Sequence, residues 1–263
     1  MDVQKVTGLG PRRVNARFAV FSSRLANRLR VIFLTGMPGW FIPLVFVHAV
    51  RERAFRKRYQ SAVARFSEAS EKLQVSTTWF LSHTAKWFWL IDSFELKDKP
   101  LQILEIGSWE GLSTNFLLSE LPQSHLVAVD TWQGSDENED VSERLLSTFK
   151  KNVNVFNSRL EMYVGKSSAF FQEKTSLDGF FDLIYIDGSH RYEDVLSDAK
   201  HGFLLLKEGG LMVFDDYFWQ YYRNPKDNPA AAINQFVKEF RRELEIVDAT
   251  YQVTVRKLVA NTA

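Results

Sequence analysis

The sequence predicts an α/β chain, with a doubly wound, mostly parallel sheet that follows a basic, partly hydrophobic helical extension. Three observations carry this. Strand-like and helix-like runs alternate from residue 101 onward. Three of the strand-like runs end on an aspartate, at Asp130, Asp187 and Asp215. Charge is also divided along the chain: residues 1–58 hold twelve Lys/Arg against two acids, Asp2 and Glu52, although the whole 263-residue chain carries only +1. With 45% hydrophobic and 25% charged residues, the composition excludes a disordered, collagenous or coiled-coil protein. The chain contains no cysteine, which excludes a disulfide framework, a thiolate nucleophile and a Cys-ligated zinc site.

The extension comes first. Arg12, Arg13, Arg17, Arg24, Arg28 and Arg30 accompany apolar Val14, Phe18, Phe21, Leu25 and Leu29 at spacings of three and four, the period of an amphipathic helix with a basic face. Residues 31–50 then carry no formal charge, and Arg51, Arg53, Arg56, Lys57 and Arg58 follow. The length suits a bilayer span, but Gly36, Pro38, Gly39 and Pro43 break a straight helix. Both flanks are basic, so a shallow or re-entrant hairpin on an anionic membrane face fits better than a crossing. Packing of this segment on the domain, or a dimer contact, stands beside that reading. Residues 52–75 read as a charged linking helix. Trp79, Phe80, Trp87, Phe88, Trp89 and Ile91 mark an aromatic helix that packs the core or covers a cleft. Residues 1–75 are therefore expected to be the extension, and 76–263 the α/β domain.

Seven strands are predicted: Leu101–Ile106, Leu126–Val129, Leu160–Val164, Phe181–Ile186, Leu211–Phe214, and a closing pair at Leu244–Val247 and Gln252–Lys257. Helix faces fall at Leu112, Phe116, Leu117 and Leu121, at Tyr192 through Leu206, and at about 230–242, while Glu208-Gly209-Gly210 reads as a turn. In such sheets ligands sit beyond the carboxyl ends of the strands. Aspartates there are costly to bury unless they bind something.

The first strand joins its helix through Leu104-Glu105-Ile106-Gly107-Ser108-Trp109-Glu110-Gly111. Gly107 permits a tight turn, and Gly111 a close approach at the helix start. The spacing is G-x-x-x-G, and Glu105 and Glu110 flank it, so a pyrophosphate would be repelled and a cationic ligand suited. Asp130, at the end of the second strand, stands where ribose hydroxyls are bound.

Four segments in order carry a resemblance to a known family: residues 103–113, Val129-Asp-Thr-Trp-Gln-Gly134, Phe181-Asp-Leu-Ile-Tyr-Ile-Asp-Gly-Ser-His190 running on to Val195, and residues 205–217. Over about residues 76–263 the chain resembles class I S-adenosylmethionine-dependent methyltransferases, closest to the group with a strand-end Ile-Asp-Gly-Ser-His motif. The resemblance implies a Rossmann-like sheet. It implies that Glu105, Gly107, Ser108 and Gly111 line the methionine end of the cofactor, that Asp130 holds the ribose with Trp132 nearby, and that Gly165, Lys166 and Ser167 flank the adenine. Packing is the other reading of Trp132.

Asp187 ends the fourth strand, and Asp215 and Asp216 end the fifth. Adjacent parallel strands lie about 4.8 Å apart, so the three carboxylates are expected to converge and to repel one another unless a hard divalent cation joins them. Mg²⁺ is the first choice, with Mn²⁺ the second. Metal-dependent methyltransferases of the catechol and macrolide-sugar types have a similar acidic cluster, which implies a substrate with neighbouring oxygens on the metal. His190 is the candidate general base, with Asp187 beside it. The catechol type has lysine at that position, so this chain departs toward the sugar-modifying type. His190 as a helix cap, Asp216 as a turn residue and Asp187 without metal are the structural alternatives. Residues 217–222 are rich in aromatic side chains that either stack on a substrate or pack a lid, and the acidic stretch Gln133–Asp140 reads as a solvated loop.

The function expected is S-adenosylmethionine-dependent O-methylation, metal-assisted, of a hydroxyl on a sugar, polyketide or phenolic small molecule. The alternatives are a non-catalytic, cofactor-binding adaptor at a membrane surface and, disfavoured by the glycine spacing, an NAD-dependent oxidoreductase. The chain is expected in the cytoplasm, peripheral or monotopic at a membrane where residues 1–58 meet anionic lipid. No nucleic-acid partner is expected, and homo-oligomerisation is left open.

Overall fold

Strands buried on both faces need apolar side chains at successive positions, and the runs after residue 101 supply them. The computed structural model describes residues 27–134 and 142–260. Seven strands form one sheet: β1 (Gln102–Ile106), β2 (His125–Asp130), β3 (Leu160–Val164), β4 (Phe181–Ile186), β5 (Leu206–Phe214), β6 (Leu244–Ala249) and β7 (Val253–Lys257). Their order is β3-β2-β1-β4-β5-β7-β6. β1 to β5 are parallel, and β7 pairs antiparallel with both β5 and β6. The order reverses between β1 and β4, the position at which such sheets bind ligands. The fold expected from sequence is the fold observed.

Alternation along the strands divides the core. Ile103, Leu183, Tyr185, Leu211 and Val213 pack beneath α3 (Gln60–Ser70), α4 (Thr84–Ser93), α5 (Leu112–Glu120) and α6 (Ser142–Val153). Leu104, Ile106, Ile184, Ile186, Met212 and Phe214 face α7 (Ser167–Glu173), α8 (Tyr192–Leu205) and α9 (Pro229–Glu239). Val31, Ile32, Met37, Phe41 and Val45 join this second layer, so part of the extension lies in the core of the α/β unit.

The extension departs from its sequence reading in detail. Helix α1 is described over residues 27–34, a short 3-10 turn spans Gly39–Phe41, and α2 runs over Ile42–Arg58. Pro43 opens α2 rather than breaking it, because a proline in the first helical turn lacks only an N–H that would have no partner there. The expected linking helix is thus the end of α2 followed by α3. Among the described residues no helix is long and apolar enough to cross a membrane. The basic amphipathic run before residue 27 and most of the acidic stretch at 133–140 lie outside the described residues.

β5 begins five residues earlier than expected. Leu206 pairs with Phe181 before the register shifts, and Gly209 at φ 78° absorbs the irregularity where a free turn was expected. The register Ile106↔Ile186 and Ile186↔Phe214 brings Gly107, Asp187 and Asp215 level at one edge of the sheet.

Candidate active site

The loop after β1 is shaped by a close approach. Gly107 has φ 86°, and a Cβ there would lie 2.0 Å from the Asp187 carbonyl oxygen and 2.6 Å from the Gly188 Cα, so only glycine fits. The loops leaving β1 and β4 therefore touch backbone to backbone. Gly111 starts α5 at φ 85°, but its missing side chain makes room for Val153 and Phe149 of α6. It serves helix packing as well as the turn.

Glu105 is fully buried at the end of β1. Its Oε2 accepts from the hydroxyls of Ser108, at 2.8 Å, and Thr114. Its Oε1 is buried without a hydrogen bond among the described residues. Burial pushes the carboxyl up to about 6, against nearby serine and threonine hydroxyls that favour the charge. A buried carboxylate with acceptor capacity left suits a cationic ligand. Glu110, the other flanking acid, is engaged elsewhere, since its Oε2 accepts from the Ser76 N–H and, at 2.9 Å, from the Ser76 hydroxyl. Of the two flanking glutamates, Glu110 is thus tied to Ser76, while Glu105 keeps a buried carboxylate oxygen without a hydrogen bond among the described residues.

Asp130 organises this loop. Its Oδ2 accepts from the N–H groups of Ser108 at 2.8 Å and Trp109 at 2.9 Å, and its Oδ1 from that of Trp132 at 2.7 Å. Trp109 and Trp132 are held at φ 47° and 49°, a region that costs a non-glycine residue energy. Trp132 is 3% exposed, packs at a tilt against Phe149, and donates its indole N–H to the Trp109 carbonyl. Its packing reading is the one the geometry favours. Lys166 is exposed as the residue preceding α7, and Ser167 hydrogen-bonds Asp198 on α8. The Gly165 N–H donates to the Asp130 carbonyl, which joins the β2 and β3 ends of the same edge.

The second cluster lies against the first. Asp187, His190 and Asp216 each offer a ligand atom, and these atoms lie within 4.8 Å of one another. His190 Nε2 is 2.8 Å from Asp216 Oδ2, and the ring sits 4.5 Å from that of Trp219. Asp215 is not in this group, which changes the expected metal set. Its Oδ2 accepts from the Tyr185 hydroxyl at 2.5 Å and the Gln252 amide at 2.7 Å, and its Oδ1 accepts from the Asp216 N–H at 2.7 Å. Asp216, at φ 57°, turns the opposite way, so the two neighbours serve different partners.

The electrostatics are unbalanced. The single Tyr185 hydroxyl proton faces both Asp215 and, at 2.9 Å, Asp187 Oδ2. Only one can accept it at a time, so the other oxygen needs a carboxyl proton or a cation. Burial, then the charges of Asp215 and Asp216, raise Asp187 well above the usual carboxylate range. Tyr251 is likewise held neutral by burial and by Asp216. Its ring stacks on His83 at 5.2 Å, and His83 Nε2 lies 4.0 Å from Asp215 Oδ1. Of these, Tyr185, His83, Tyr251 and Gln252 escaped sequence reasoning. Tyr185 alone had a signal, as the residue two before Asp187.

A protein-family model described as a methyltransferase domain matches residues 104–217. Over these residues the chain is similar to a methyltransferase domain. A curated relative, the uncharacterised protein R132 of Acanthamoeba polyphaga mimivirus, is 29% identical over 153 residues, 58% of this chain and 65% of R132. Protein y4gI of Sinorhizobium fredii is 26% identical over 159 residues, 54% of this chain but 16% of y4gI. The chain thus spans less than two thirds of these relatives. Among solved structures, the MycE methyltransferase of mycinamycin biosynthesis, in complex with Mg, SAH and mycinamycin VI, superposes with a TM-score of 0.53 at 17% identity, over 75% of this chain and 56% of MycE. An O-methyltransferase from Bacillus cereus in complex with SAH gives 0.50 at 17% identity, over 75% of this chain and 91% of that one. Both share the fold.

Proposed function

We propose that the protein transfers a methyl group from S-adenosylmethionine to a hydroxyl oxygen of a small molecule, with help from a divalent cation. The observation that carries this reading is the backbone contact at Gly107. It abuts the loop built around buried Glu105 on the cluster Asp187, His190 and Asp216, so a donor site and an acceptor site share one wall.

S-adenosylmethionine bound at the glycine loop supplies an electrophilic methyl on a sulfonium. The buried Glu105 carboxylate opposes that positive charge. Asp130 holds the Ser108 and Trp109 amides in place for the cofactor, and its remaining acceptor capacity faces the ribose. Lys166 and Ser167 flank the adenine in this reading. Asp187 and Asp216 would hold a divalent ion, Mg²⁺ or Mn²⁺, which when bound would lower the pKa of an acceptor hydroxyl and fix its orientation. His190 takes the acceptor proton, and Asp216, 2.8 Å away, orients its ring and stabilises the imidazolium that forms. Asp215 and Tyr185 position Asp187. The exposed ring of Tyr221, stacked 5.4 Å from Trp219, gives the acceptor side an aromatic wall suited to a sugar or phenolic ring. The MycE complex, which holds Mg, SAH and mycinamycin VI on the same fold, is in keeping with this reading.

Calorimetric titration with S-adenosylmethionine, followed by mass spectrometry of sugars, polyketides and phenols incubated with enzyme, cofactor and Mg²⁺, tests the reading. Absence of cofactor binding overturns it, and full turnover in chelator removes its metal half. The joint proximity of the three ligand atoms also supports a second arrangement, with His190 as a metal ligand. In that case His190→Gln weakens Mn²⁺ binding, whereas a pure base leaves that affinity intact and loses only rate.

A further inference from the structure

The extension exposes apolar surface that the domain does not use. Val31, Ile32, Met37, Phe41 and Val45 are buried against the α/β unit, yet Phe33, Leu34, Phe46, Val47 and Val50 from the same uncharged stretch face solvent. Phe33 is 74% exposed and Val50 is 70% exposed, far more than packing on the domain would leave. Phe46, Val47 and Val50 share one face of α2. Apolar and basic residues are segregated along the length of that helix: the uncharged half ends at Val50, and exposed Arg51, Arg53, Arg56, Lys57 and Arg58 complete it. No acidic residue occurs from Val3 to Arg51.

From this we infer that the extension seats the protein on an anionic lipid bilayer. The exposed apolar side chains enter the boundary between headgroups and acyl chains, and the arginines of α2 meet the headgroup phosphates. The charge selects this occupant. A second copy would bring the same basic surface against itself, whereas anionic lipid complements it. The association is shallow, because no described helix is long and apolar enough to span.

Residues 27–30, just before this surface, touch the segment on the acceptor side of the candidate site. Asn27 Nδ2 donates to the Phe218 carbonyl at 2.7 Å, Arg30 donates to the Arg223 carbonyl at 2.9 Å, and Arg28 lies over the Phe218 ring. These contacts hold the segment that carries Trp219, the neighbour of His190. Membrane seating therefore sets the aromatic segment beside a lipid surface, which favours an amphiphilic acceptor.

The lipid seating is independent of the proposed reaction, and only the amphiphilic acceptor rests on it. It is tested by co-sedimentation of the full chain with vesicles of equal parts phosphatidylcholine and phosphatidylglycerol, and with vesicles of phosphatidylcholine alone. Binding to the anionic vesicles is expected, weakened by salt. Phe46→Ser with Val50→Ser is expected to reduce it by about tenfold or more, and both positions are exposed enough for the variant to keep its thermal midpoint. Arg51→Glu with Arg53→Glu is expected to remove the preference for anionic lipid. The inference is overturned if the full chain ignores anionic vesicles, if the serine variant binds equally well, or if light scattering reveals a dimer that the serine variant dissociates.

Discussion

Asp198 offers the sharpest test of how burial acts in this fold. It lies on α8, 2% exposed, with a hydrogen bond from Ser167 and the charge of Asp194 nearby. Burial, the dominant cause, raises its carboxyl from 3.8 to about 7. Between those values the folded chain holds a proton that the unfolded chain has released, so stability falls as pH rises through the interval and levels off above it. A difference of roughly three units corresponds to about 4 kcal/mol in full. Asp198→Asn keeps the size and an acceptor for Ser167 while removing the titration. The variant is expected to match the parent near pH 4 and to exceed it by up to about 4 kcal/mol at pH 8, a rise of several degrees in Tm. Urea unfolding of both proteins across that range measures the difference directly. A variant no more stable than the parent at pH 8, or a difference that does not change with pH, refutes the argument.

Gly107→Ala would force a Cβ into the Asp187 carbonyl at a backbone angle that alanine disfavours, and is expected to cost at least about 2 kcal/mol and to abolish S-adenosylmethionine binding, checked by thermal melts and calorimetry. Glu105, with its carboxyl at about 6, is expected to hold a sulfonium only when ionised, so affinity rises with pH through about 6 and is flat above it; Glu105→Gln should be weak and independent of pH by the same titration. Lys86, 4% exposed, lies 3.0 Å from fully buried Asp248, and Lys86→Met is expected to destabilise by roughly 3–5 kcal/mol because the carboxylate loses its cation; a loss below about 1 kcal/mol by urea unfolding would contradict that.

The sheet was legible because each strand is a local apolar run and each parallel strand end carries a residue of special type, as at Gly107, Asp130 and Asp187. The closing antiparallel pair was legible for the same reason. What escaped depends on contacts distant in sequence. Gln252 reaches Asp215 across 37 positions, and the Glu110 carboxylate turns to Ser76 across 34. No local pattern marks either pair. Asp215 and Asp216 were both expected in the metal set, and the left-handed backbone at Asp216 sends their carboxylates apart. The end of α2 was read as a linker because its uncharged first half hides the helical period, and Pro43 reads as a breaker unless the helix start is known.

The buried contacts around Asp248 determine how the chain can be divided. His48 on α2 accepts the Ala249 N–H at 2.8 Å, Lys86 donates to the Gln252 carbonyl at 2.8 Å, and the Gln252 amide reaches Asp215. Cutting the polypeptide near residue 75 would remove the imidazole and strip cover from the hydrophobic layer that contains Phe214 and Phe236. A trimmed α/β half is therefore a poor surrogate for the intact molecule, and any loss of function after such trimming would report a damaged scaffold first.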